Sequence, residues 1–598
     1  MFHSFRIKNK TYNQKGVVLL IYILIKLKDY RKKSNNSCLS DMCGIFFYQG
    51  KAYRLDGLMP HFMKSSHRGP DSSFLRSVDK DTFMGFHRLA IVGLERDGDQ
   101  PFQSEETYAM CNGEIYNHQI IRQKLKKQIH SNSDCAVVLP LYEKFGIQKM
   151  MTYLDGDYAF IIYDTKNKLV QLGRDPMGVK PLFYSYTKSG EFCAASEMKS
   201  LIGLVGTEKI HMLPSGTTMT YDISTGVFSS YRYWTPHYSL EDDADYYKYW
   251  APDFPIDNKE KSVQRVQSEG EIKSTIQKKL TLAVKKRLMA ERPLGLLISG
   301  GLDSSLIAGI TKELVGDKIK DIQSFSIGMI GSPDTEYAQI VADYLGTKHH
   351  TIRFTVEDGI KAVRDVIRHL ESYDITTIRA STPQYIMSKY IYENTDVRVV
   401  LSGEGSDELF GGYLYSHLAP SNDELQMDSK RLMEELEVYD VLRTDRTTAG
   451  NGLEVRVPFL DRGFMKYVMN VEGKYKNPNE SSGFGKRIEK KILRDAFLEK
   501  KIIPEEVLYR VKNAFSDACG YDWIPSIQQY CNAQISDEEF SNRAERYPHV
   551  TPQSKEAYFY RKTFEEFYPG QEHILQHFWL PNWMDNKGEP SAKILKLV

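Results

Sequence analysis

Two long stretches of the chain differ in the spacing of their hydrophobic residues. Between residues 42 and 233, short runs of alternating apolar and polar residues, such as 108–111 and 158–163, are separated by Gly, Asn and Asp. This spacing is typical of half-buried strands joined by turns. We therefore expect layered antiparallel sheets in this part of the chain, with one strand over residues 86–92.

The pattern changes beyond residue 270. Apolar runs of strand length alternate there with stretches of helical length. The predicted strands are residues 294–298, 322–327 and 397–401, and the predicted helices are residues 304–314, 356–370 and 383–392. This alternation predicts an α/β domain with a doubly wound parallel sheet, which binds its ligands at the carboxyl ends of the strands.

The change of pattern also predicts the domain boundaries. The segment between the two patterns is rich in Tyr, Asp, Pro and Lys and has no sustained apolar period, which favours a linker. We predict a first domain over residues 43–233, a linker over 234–270, a second domain over 271–568 and a tail over 569–598.

Residues 1–42 do not share the character of the rest. The apolar run at residues 17–25 lies between two basic stretches and is too short to cross a bilayer, which takes about 20 residues. Arg31, Lys32 and Lys33 are a poor match to the small residues of a signal-peptide cleavage site. We expect this segment to be a leader or an upstream start that the working protein lacks.

Composition narrows the partners and the compartment. The chain has 598 residues, enough for several domains, and 79 Lys and Arg against 78 Asp and Glu give a net charge of +1. This charge offers no electrostatic case for a nucleic-acid or membrane partner, so we expect small-molecule substrates. Seven cysteines without zinc-like or disulfide-like spacing favour a reducing compartment, and we predict a cytoplasmic protein.

The first group of candidate residues suits attack of a thiol on an amide. It consists of Cys43, Arg88, the run Asn112-Gly113-Glu114, and Asp134. Such an attack needs a base, oxyanion donors and groups that hold the substrate. If Met42 were removed, the α-amine of Cys43, with a pKa of about 7.7–8.0, could serve as the base.

Five segments in this region resemble the class II glutamine amidotransferases. They are M-C-G-I-F from residue 42, S-H-R-G-P-D from 66, H-R-L-A-I-V from 87, C-N-G-E-I-Y-N from 111 and S-D from 133. The resemblance implies an α+β Ntn-hydrolase-type αββα sandwich. It also implies that Cys43 is the nucleophile, that the Asn112 amide and the Gly113 N–H form the oxyanion hole, and that Arg88 and Asp134 bind the α-carboxylate and α-ammonium of glutamine. The residues implied to line the glutamine pocket are Leu89, Ala90, Ile91, Val92 and Glu114.

Two departures from that family pattern have consequences. The residues before Cys43 leave it without a free amine, so we expect glutaminase activity only after initiation at Met42 or a cut before Cys43. Ala136 stands where relatives carry a Glu two positions after the Asp, so we expect an altered packing contact beside Asp134.

The second group of candidate residues lies between a predicted strand and a predicted helix. Ser299-Gly300-Gly301-Leu302-Asp303-Ser304-Ser305 supplies main-chain N–H groups and hydroxyls at a helix N-terminus, an arrangement that favours a polyphosphate anion. No G-x-x-x-x-G-K-[ST] motif is present, so this is not the common nucleoside-triphosphatase loop. The motif resembles the PP-loop of ATP pyrophosphatases, which release AMP and pyrophosphate.

Downstream segments extend this resemblance to the asparagine synthetases, over about residues 42–568. They include E-S-Y-D-I-T-T-I-R-A-S-T from residue 371, L-S-G-E-G-S-D-E from 401 and G-L-E-V-R-V-P-F-L-D from 452. The resemblance implies a role for Glu404 in forming β-aspartyl-AMP and accepting a proton from ammonia, and Mg²⁺ held by Asp303 and Asp407. It implies aspartate binding by Thr376, Thr377 and Arg379, and ATP binding by Leu297, Ser299, Gly300, Gly301, Asp303, Ser304, Ser305, Ile327, Ser402, Gly403 and Lys512.

The resemblance implies glutamine-dependent asparagine synthesis with the substrates glutamine, aspartate and ATP. The assembly that we expect is a homodimer. A β-lactam-synthetase-like ligase is the main alternative, but its first domain lacks the nucleophilic cysteine that Cys43 supplies here. A non-catalytic storage or scaffold relative would have lost loop residues, and Ser299, Gly300, Gly301 and Asp303 are all present. Other class II amidotransferases do not carry the second loop.

Overall fold

The first domain is built from two antiparallel sheets, as its alternating pattern predicts. The computed structural model describes residues 43–69, 71–204, 209–235, 268–480, 482–483, 486–511, 520 and 522–584. The strands of this domain are β1 Gly44–Gln49, β2 Ser72–Asp79, β3 Thr82–Arg88, β4 Phe102–Gln103, β5 Thr107–Ile115, β6 Gly156–Asp164, β7 Leu169–Arg174, β8 Phe183–Tyr186, β9 Phe192–Ala195, β10 His211–Met212, β11 Thr217–Asp222 and β12 Val227–Arg232.

The two sheets have six strands each and face each other across a shared core. Their strand orders are β10-β8-β9-β1-β3-β2 and β12-β11-β7-β6-β5-β4. Ile45 and Phe86 of the first sheet lie in one buried cluster with Met110 and Ile161 of the second. Because every other residue of a strand points to the same face, the apolar residues of both sheets meet between them.

Helices cover the outer faces, which completes the αββα sandwich. Helix α1 packs against β2, and helix α3 packs against β5. The ends of these helices are α1 Leu55–Met63, α2 His118–Leu125 and α3 Val138–Tyr153, the last interrupted at Gly146. The predicted fold class of the first domain is confirmed.

The second domain contains a five-stranded sheet whose strands are all parallel, in the order β15-β14-β13-β16-β17. Its strands are β13 Leu294–Leu297, β14 Gln323–Gly328, β15 Lys348–Arg353, β16 Val399–Leu401 and β17 Glu454–Arg456, and a separate two-stranded ribbon comprises β18 Ser482–Gly483 and β19 Lys486–Arg487. The order reverses between β13 and β16, which makes the gap beyond their carboxyl ends the place where such sheets bind ligands. The α/β class predicted for this domain is confirmed.

The helices of the second domain are more numerous than its sequence pattern predicted. Helix α7 matches the predicted range because Thr355 and Asp358 form a reciprocal capping box at its start. The helices are α4 Glu269–Arg287, α5 Leu302–Val315, α6 Pro333–Leu345, α7 Val356–Leu370, α8 Ile375–Asn394, α9 Ser406–Phe410, α10 Asn422–Glu435, α11 Asp440–Ala449, α12 Arg462–Met469, α13 Lys491–Phe497, α14 Glu505–Leu508, α15 Trp523–Gln534, α16 Asp537–Ser541, α17 Arg543–Arg546 and α18 Lys555–Phe567.

Three sequence expectations about local structure need correction. The strand expected over residues 86–92 ends at Arg88, because the chain then turns away and Ala90 donates its N–H to Asp71 at 2.9 Å instead of to a strand. Helix α8 begins at Ile375, since the Asp374 side chain caps its N-terminus by accepting from Thr377. The start predicted at residue 383 is wrong because Pro383 lies inside this helix.

The predicted linker and tail are only partly described. Within 234–270, residues 236–267 lie outside the described residues, Trp234 is buried, and α4 begins at Glu269. In the tail, Trp579 is buried and donates its main-chain N–H to Asp374 of the second domain at 2.9 Å, and Gln571 accepts the N–H of Ile210 of the first domain at 2.9 Å. Residues 1–42 lie outside the described part of the chain, and no helix in the described part is long and apolar enough to span a membrane.

Candidate active sites

Cys43 lies just before the central strand β1 of the first sheet. Its thiol is within 3.4 Å of both the carbonyl oxygen and the N–H of Leu89, which follows the neighbouring strand β3. Burial raises the pKa of the Cys43 thiol to about 12, and the charges of Glu454 and Glu114 also raise it. A base therefore has to take the thiol proton when the sulfur attacks.

The predicted oxyanion donors lie on β5 of the opposite sheet, between β6 and the edge strand β4. Asn112 and Gly113 belong to β5 and pair with Ala159 and Tyr158 of β6. The amide nitrogen of Asn112 is buried and has no hydrogen-bond partner among the described residues. A buried amide that lacks an acceptor is costly, so an oxyanion at this point would satisfy it.

Gly113 has a conformation that another residue would adopt only with strain. Its φ is +134°, and a Cβ built there would lie 2.0 Å from the carbonyl oxygen of Asp157. The tight approach of β6 therefore requires glycine beside Asn112.

Arg88 is buried at the end of β3 and faces a loop. Its guanidinium donates to the carbonyl oxygens of Glu95, at 2.7 Å, and Gly93, and to the Asp99 carboxylate at 3.0 Å. These contacts fix its direction, and they also occupy part of its hydrogen-bonding capacity. The binding of a glutamine carboxylate by Arg88 stays a prediction.

Glu114 and Asp134 form a buried acidic pair near Cys43. Asp134 accepts the N–H of Ile115 at 2.6 Å, which holds it beside the end of β5. Burial raises the pKa of Asp134 to about 6, and burial together with the charge of Asp134 raises the pKa of Glu114. Arg456 of the second domain lies 3.4 Å from Glu114 and offsets part of this negative charge.

The residues next to Asp134 show what replaces the missing Glu of relatives. Ala136 is buried, and the neighbouring Cys135 thiol donates to the Gly113 carbonyl oxygen at 3.1 Å. The Cys135 thiol also lies 3.7 Å from the Asp134 carboxylate, so a thiol contacts Asp134 here.

The second site forms where the strand order of the parallel sheet reverses. The loop after β13 leads into α5, and the loop after β16 leads into α9. The two loops touch closely, because a Cβ on Gly403 would lie 2.6 Å from the N–H nitrogen of Ser304. The residues predicted to bind ATP on these two loops are thus brought together at the switch point.

Side chains and main-chain groups shape the first of these loops for an anion. The Ser304 hydroxyl lies 3.1 Å from both the N–H nitrogen and the hydroxyl of Ser299, and Gly301 donates its N–H to the Ser299 hydroxyl at 3.3 Å. Gly300 has a φ of +70°, and a Cβ there would lie 2.5 Å from α6. The loop is pressed against that helix, with the N-terminus of α5 directed at the ligand side.

Of the other predicted ATP contacts, Leu297 and Ile327 are the end and next-to-last residues of β13 and β14, and Ile327 is buried. Ser305 is buried in the first turn of α5. Ser402 accepts the N–H of Glu404 at 3.3 Å, which orders the loop after β16. Lys512 lies outside the described residues.

Asp303 and Asp407 converge on one buried ammonium group, that of Lys490. The Lys490 Nζ is 2.7 Å from a carboxylate oxygen of each. The Ser406 hydroxyl donates to the other Asp303 oxygen at 2.8 Å. The two carboxylates are therefore close enough to share one cation, although among the described residues no cluster of three or more His, Cys, Asp or Glu side chains could hold a metal ion by itself.

Three cationic residues at this site were missed by sequence reasoning. Lys490, Arg494 and Arg510 line an open cleft together with Ser299 and Asp303. Arg510 donates to the Gly300 carbonyl oxygen at 3.0 Å. The proximity of Arg510 to Lys512 in sequence was a usable signal, but Lys490 stands in the basic run K-R-I-E-K-K, which resembles a solvated surface.

Glu404 is held by two consecutive residues of α11. Its carboxylate accepts from Arg443 at 2.8 Å and from the Thr444 hydroxyl at 2.9 Å. Burial raises the pKa of Glu404, and the Arg443 charge opposes that rise. The carboxylate is thus oriented within the site rather than solvated, as a surface acidic loop would be.

The residues predicted to bind aspartate lie in the first turns of α8. Arg379 forms a buried ion pair with Glu556 of α18, at 2.6 Å, and Thr377 donates its hydroxyl to Asp374 at 2.8 Å. The hydroxyl of Thr376 is buried and has no partner among the described residues. Arg379 and Thr377 therefore have structural partners, and the aspartate site stays a prediction.

Comparisons with known proteins match each half of the chain to a family. Residues 42–231 match the family model described as a glutamine amidotransferase domain, and residues 275–436 and 418–590 match the model described as asparagine synthase. The probable asparagine synthetase [glutamine-hydrolyzing] of Acanthamoeba polyphaga mimivirus is 41% identical over 571 residues, covering 93% of this chain and 100% of the relative. The asparagine synthetases [glutamine-hydrolyzing] of Cricetulus griseus and Homo sapiens are each 40% identical over 569 residues, covering 93% of this chain and 98% of each relative.

Proposed function

The chain belongs to the family of glutamine-hydrolysing asparagine synthetases, and we propose that its two sites divide that reaction between them. The enzyme catalyses glutamine-dependent asparagine synthesis. In our proposal the Cys43 site hydrolyses glutamine to glutamate and ammonia. The loop site joins aspartate to ATP as β-aspartyl-AMP with release of pyrophosphate, and ammonia then displaces AMP to give asparagine.

At the first site, Cys43 would attack the side-chain amide of glutamine. The proton of the thiol passes to the α-amine of a processed Cys43, which is poised near neutral pH at about 7.7–8.0. Negative charge on the amide oxygen is stabilised by the Asn112 amide and the Gly113 N–H. The partnerless amide of Asn112 supports this role.

The substrate-holding groups of the first site carry opposite charges. Arg88 would bind the α-carboxylate and Asp134 the α-ammonium of glutamine, while Glu114 and residues 89–92 line the pocket. The short distance between the Cys43 thiol and Leu89 supports the placement of this segment at the pocket wall.

At the second site, ATP would lie across the gap between β13 and β16. Leu297, Ile327, Ser402 and Gly403 would contact adenine and ribose, and residues 299–305 would bind the phosphates. Lys490 and Lys512 would neutralise the departing pyrophosphate. Glu404 would support the formation of β-aspartyl-AMP and accept a proton from ammonia. Thr376, Thr377 and Arg379 would bind aspartate.

Asp303 and Asp407 would hold Mg²⁺ beside the phosphate loop in place of the Lys490 ammonium, which both carboxylates contact at 2.7 Å. Each would offer a carboxylate oxygen to the ion, and the phosphates of ATP would offer further oxygen ligands. Bound there, the ion would neutralise phosphate charge.

We propose in addition that the enzyme is cytoplasmic and homodimeric. Light scattering in solution tests whether it is a homodimer.

The observation that carries the proposal is that the described residues contain a part-buried thiol, a partnerless buried amide on the facing sheet, and a serine-glycine loop beside two converging carboxylates. Each half of the reaction has its own group of residues. The two activities should therefore be separable.

Cys43→Ala tests this separation. It removes only the thiol, so glutamine-dependent synthesis should fall to background while synthesis from ammonium and ATP persists. Cys193→Ala is the matched control, because Cys193 is a buried cysteine of β9 whose thiol donates to the Ser185 carbonyl oxygen. Both activities are measured as asparagine formed, and a parallel loss of both in Cys43→Ala would refute the division of labour.

A further inference from the structure

Helix α11 of the second domain contacts both sites through consecutive residues. Arg443 and Thr444 hold the Glu404 carboxylate at 2.8 and 2.9 Å. The next residue, Asp445, lies 3.1 Å from the guanidinium of Arg68, which belongs to the first domain. One turn of a helix therefore joins the synthetase site to the other half of the molecule.

Arg68 in turn contacts the nucleophile's own main chain. Its Nε donates to the carbonyl oxygen of Cys43 at 3.0 Å. A Cβ on Gly44 would lie 3.4 Å from the Cβ of Arg68, so the arginine also packs against the residue after the nucleophile. The side chain of Arg68 is fully buried, which removes solvent as a competitor for these contacts.

The guanidinium is held at three points. Nε faces Cys43, one terminal nitrogen donates to Glu197 at 3.0 Å, and the other donates to Asp445. Because a guanidinium is planar and its N–H groups point in fixed directions, two anchored nitrogens determine where the third points. Glu197 supplies one anchor from the first domain, and Asp445 supplies the other from the second.

We propose that Asp445 is a positioning residue for glutamine hydrolysis, acting through Arg68 on the main chain of Cys43. The inference rests on the proposed role of Cys43 as the nucleophile. If Asp445 loses its charge, the attraction of Glu197 for Arg68 is no longer balanced from the second domain, and the Arg68 Nε no longer points reliably at Cys43. The thiol then spends less time in the attacking geometry, while the groups that hold glutamine are unchanged.

Lys180 is a further neighbour of Asp445, with its ammonium 3.6 Å from the other carboxylate oxygen. It gives the carboxylate a second cationic neighbour beside Arg68. The chain of contacts to Cys43 nevertheless runs through Arg68, because Arg68 is the described residue that bonds both Asp445 and the Cys43 carbonyl.

The test compares Asp445→Asn with the unaltered enzyme, whose first residue is read by intact mass. The substitution keeps the shape and one acceptor but removes the charge. We expect the glutaminase kcat to fall by about tenfold, within the range that small misplacements of reacting groups produce. The KM for glutamine and the rate of asparagine synthesis from ammonium should stay within about twofold.

Synthesis from ammonium separates positioning from a merely structural role. Arg443 and Thr444, which hold Glu404, immediately precede Asp445 on the same helix. Damage to α11 would therefore lower the rate of synthesis from ammonium too. Glu437→Gln is the matched control. Glu437 pairs with Arg174 across the same boundary between the domains but has no contact with Cys43 among the described residues, so its removal should leave the glutaminase kcat unchanged.

A second variant makes the pathway itself testable. Arg68→Gln should lower the glutaminase kcat at least as much as Asp445→Asn, and the double variant should be no worse than Arg68→Gln, since residues acting in one chain are not additive. Additive losses, an equal loss of both activities, a changed KM alone or an unchanged kcat in Asp445→Asn would each overturn the inference. Failure of the proposed function would instead appear as glutaminase activity that survives Cys43→Ala.

Discussion

The surroundings of Asp134 raise its pKa, so its charge changes at a mildly acidic pH. Burial raises its pKa to about 6, although the Ile115 N–H that it accepts opposes the rise. Above that pH it is a carboxylate and can pair with an α-ammonium. As the pH falls through about 6 it takes up a proton and the pairing is lost.

We therefore predict that the KM for glutamine rises as the pH is lowered below about 6, by up to tenfold per pH unit. Glutaminase rates at saturating and limiting glutamine measure this. Asp134→Asn should have a high KM at every pH while keeping the titration of the catalytic amine, which isolates the contribution of Asp134. A KM that stays flat down to about pH 5 would contradict the assignment of Asp134 to the α-ammonium.

A substitution at Glu404 can separate an effect on ATP binding from an effect on the chemical step of synthesis. Its carboxylate is partly buried and held by Arg443 and Thr444, so substitution by Gln preserves the shape and removes the charge. We predict that Glu404→Gln lowers synthetic turnover by at least about a hundredfold, or roughly 2.7 kcal/mol of transition-state stabilisation, while ATP affinity stays nearly intact.

Isothermal titration with ATP and Mg²⁺ gives the affinity, and pyrophosphate release with saturating aspartate and ammonium gives the turnover. Near-wild-type turnover would contradict a catalytic role for Glu404. Weakened ATP binding with unchanged turnover would mean that Glu404 orders the loop at Ser402 and Gly403 instead.

At the scale of elements, the second site depends on how closely two loops approach. Gly403 follows β16 and lies against the first turn of α5, where a Cβ would come within 2.6 Å of the Ser304 nitrogen and 2.8 Å of the Asp303 carbonyl carbon. Real Cβ atoms are not found so close to main-chain atoms, so the loops would have to separate.

We predict that Gly403→Ala reduces aspartate-dependent pyrophosphate release by orders of magnitude and leaves glutaminase activity within about twofold. Gly270→Ala is the control, because Gly270 lies in the first turn of α4 and a Cβ there meets nothing within 4 Å. That control should be neutral or slightly stabilising, since alanine favours helix over glycine. Full activity of Gly403→Ala would show that the loops can part without cost.

At the scale of the whole molecule, we expect glutaminase activity to depend on whether residues 1–42 are still attached to Cys43. The proposed base is the α-amine of Cys43, which exists only when Cys43 is the first residue. The buried thiol has a pKa of about 12 and forms too little thiolate by itself at neutral pH.

We therefore predict that active enzyme begins at Cys43. Protein that retains residues 1–42 should make asparagine from ammonium at a normal rate but release no glutamate from glutamine. Intact-mass measurement identifies the first residue of each preparation. Full glutaminase activity in protein with residues 1–42 attached would rule out the α-amine as the base.

Local pattern determined much of the architecture before any contact was known. The alternation of polarity in residues 42–233 and the strand-helix alternation beyond residue 270 predicted both domain classes, and the range of α7 follows from its capping box and amphipathic spacing. The thiol segment and the loop at residues 299–305 were recognisable because their chemistry is contained within a few adjacent residues.

What the tertiary structure decided is which distant residues meet. Lys490 joins Asp303 and Asp407, Arg379 pairs with Glu556, and Arg68 meets Asp445 at a sequence separation of 377. A lysine in a basic run and an aspartate inside a helix give no local sign of burial. Their partners are set by strand order and by the packing of one domain on the other, which depend on the whole chain, whereas helix caps and alternating faces depend only on neighbours.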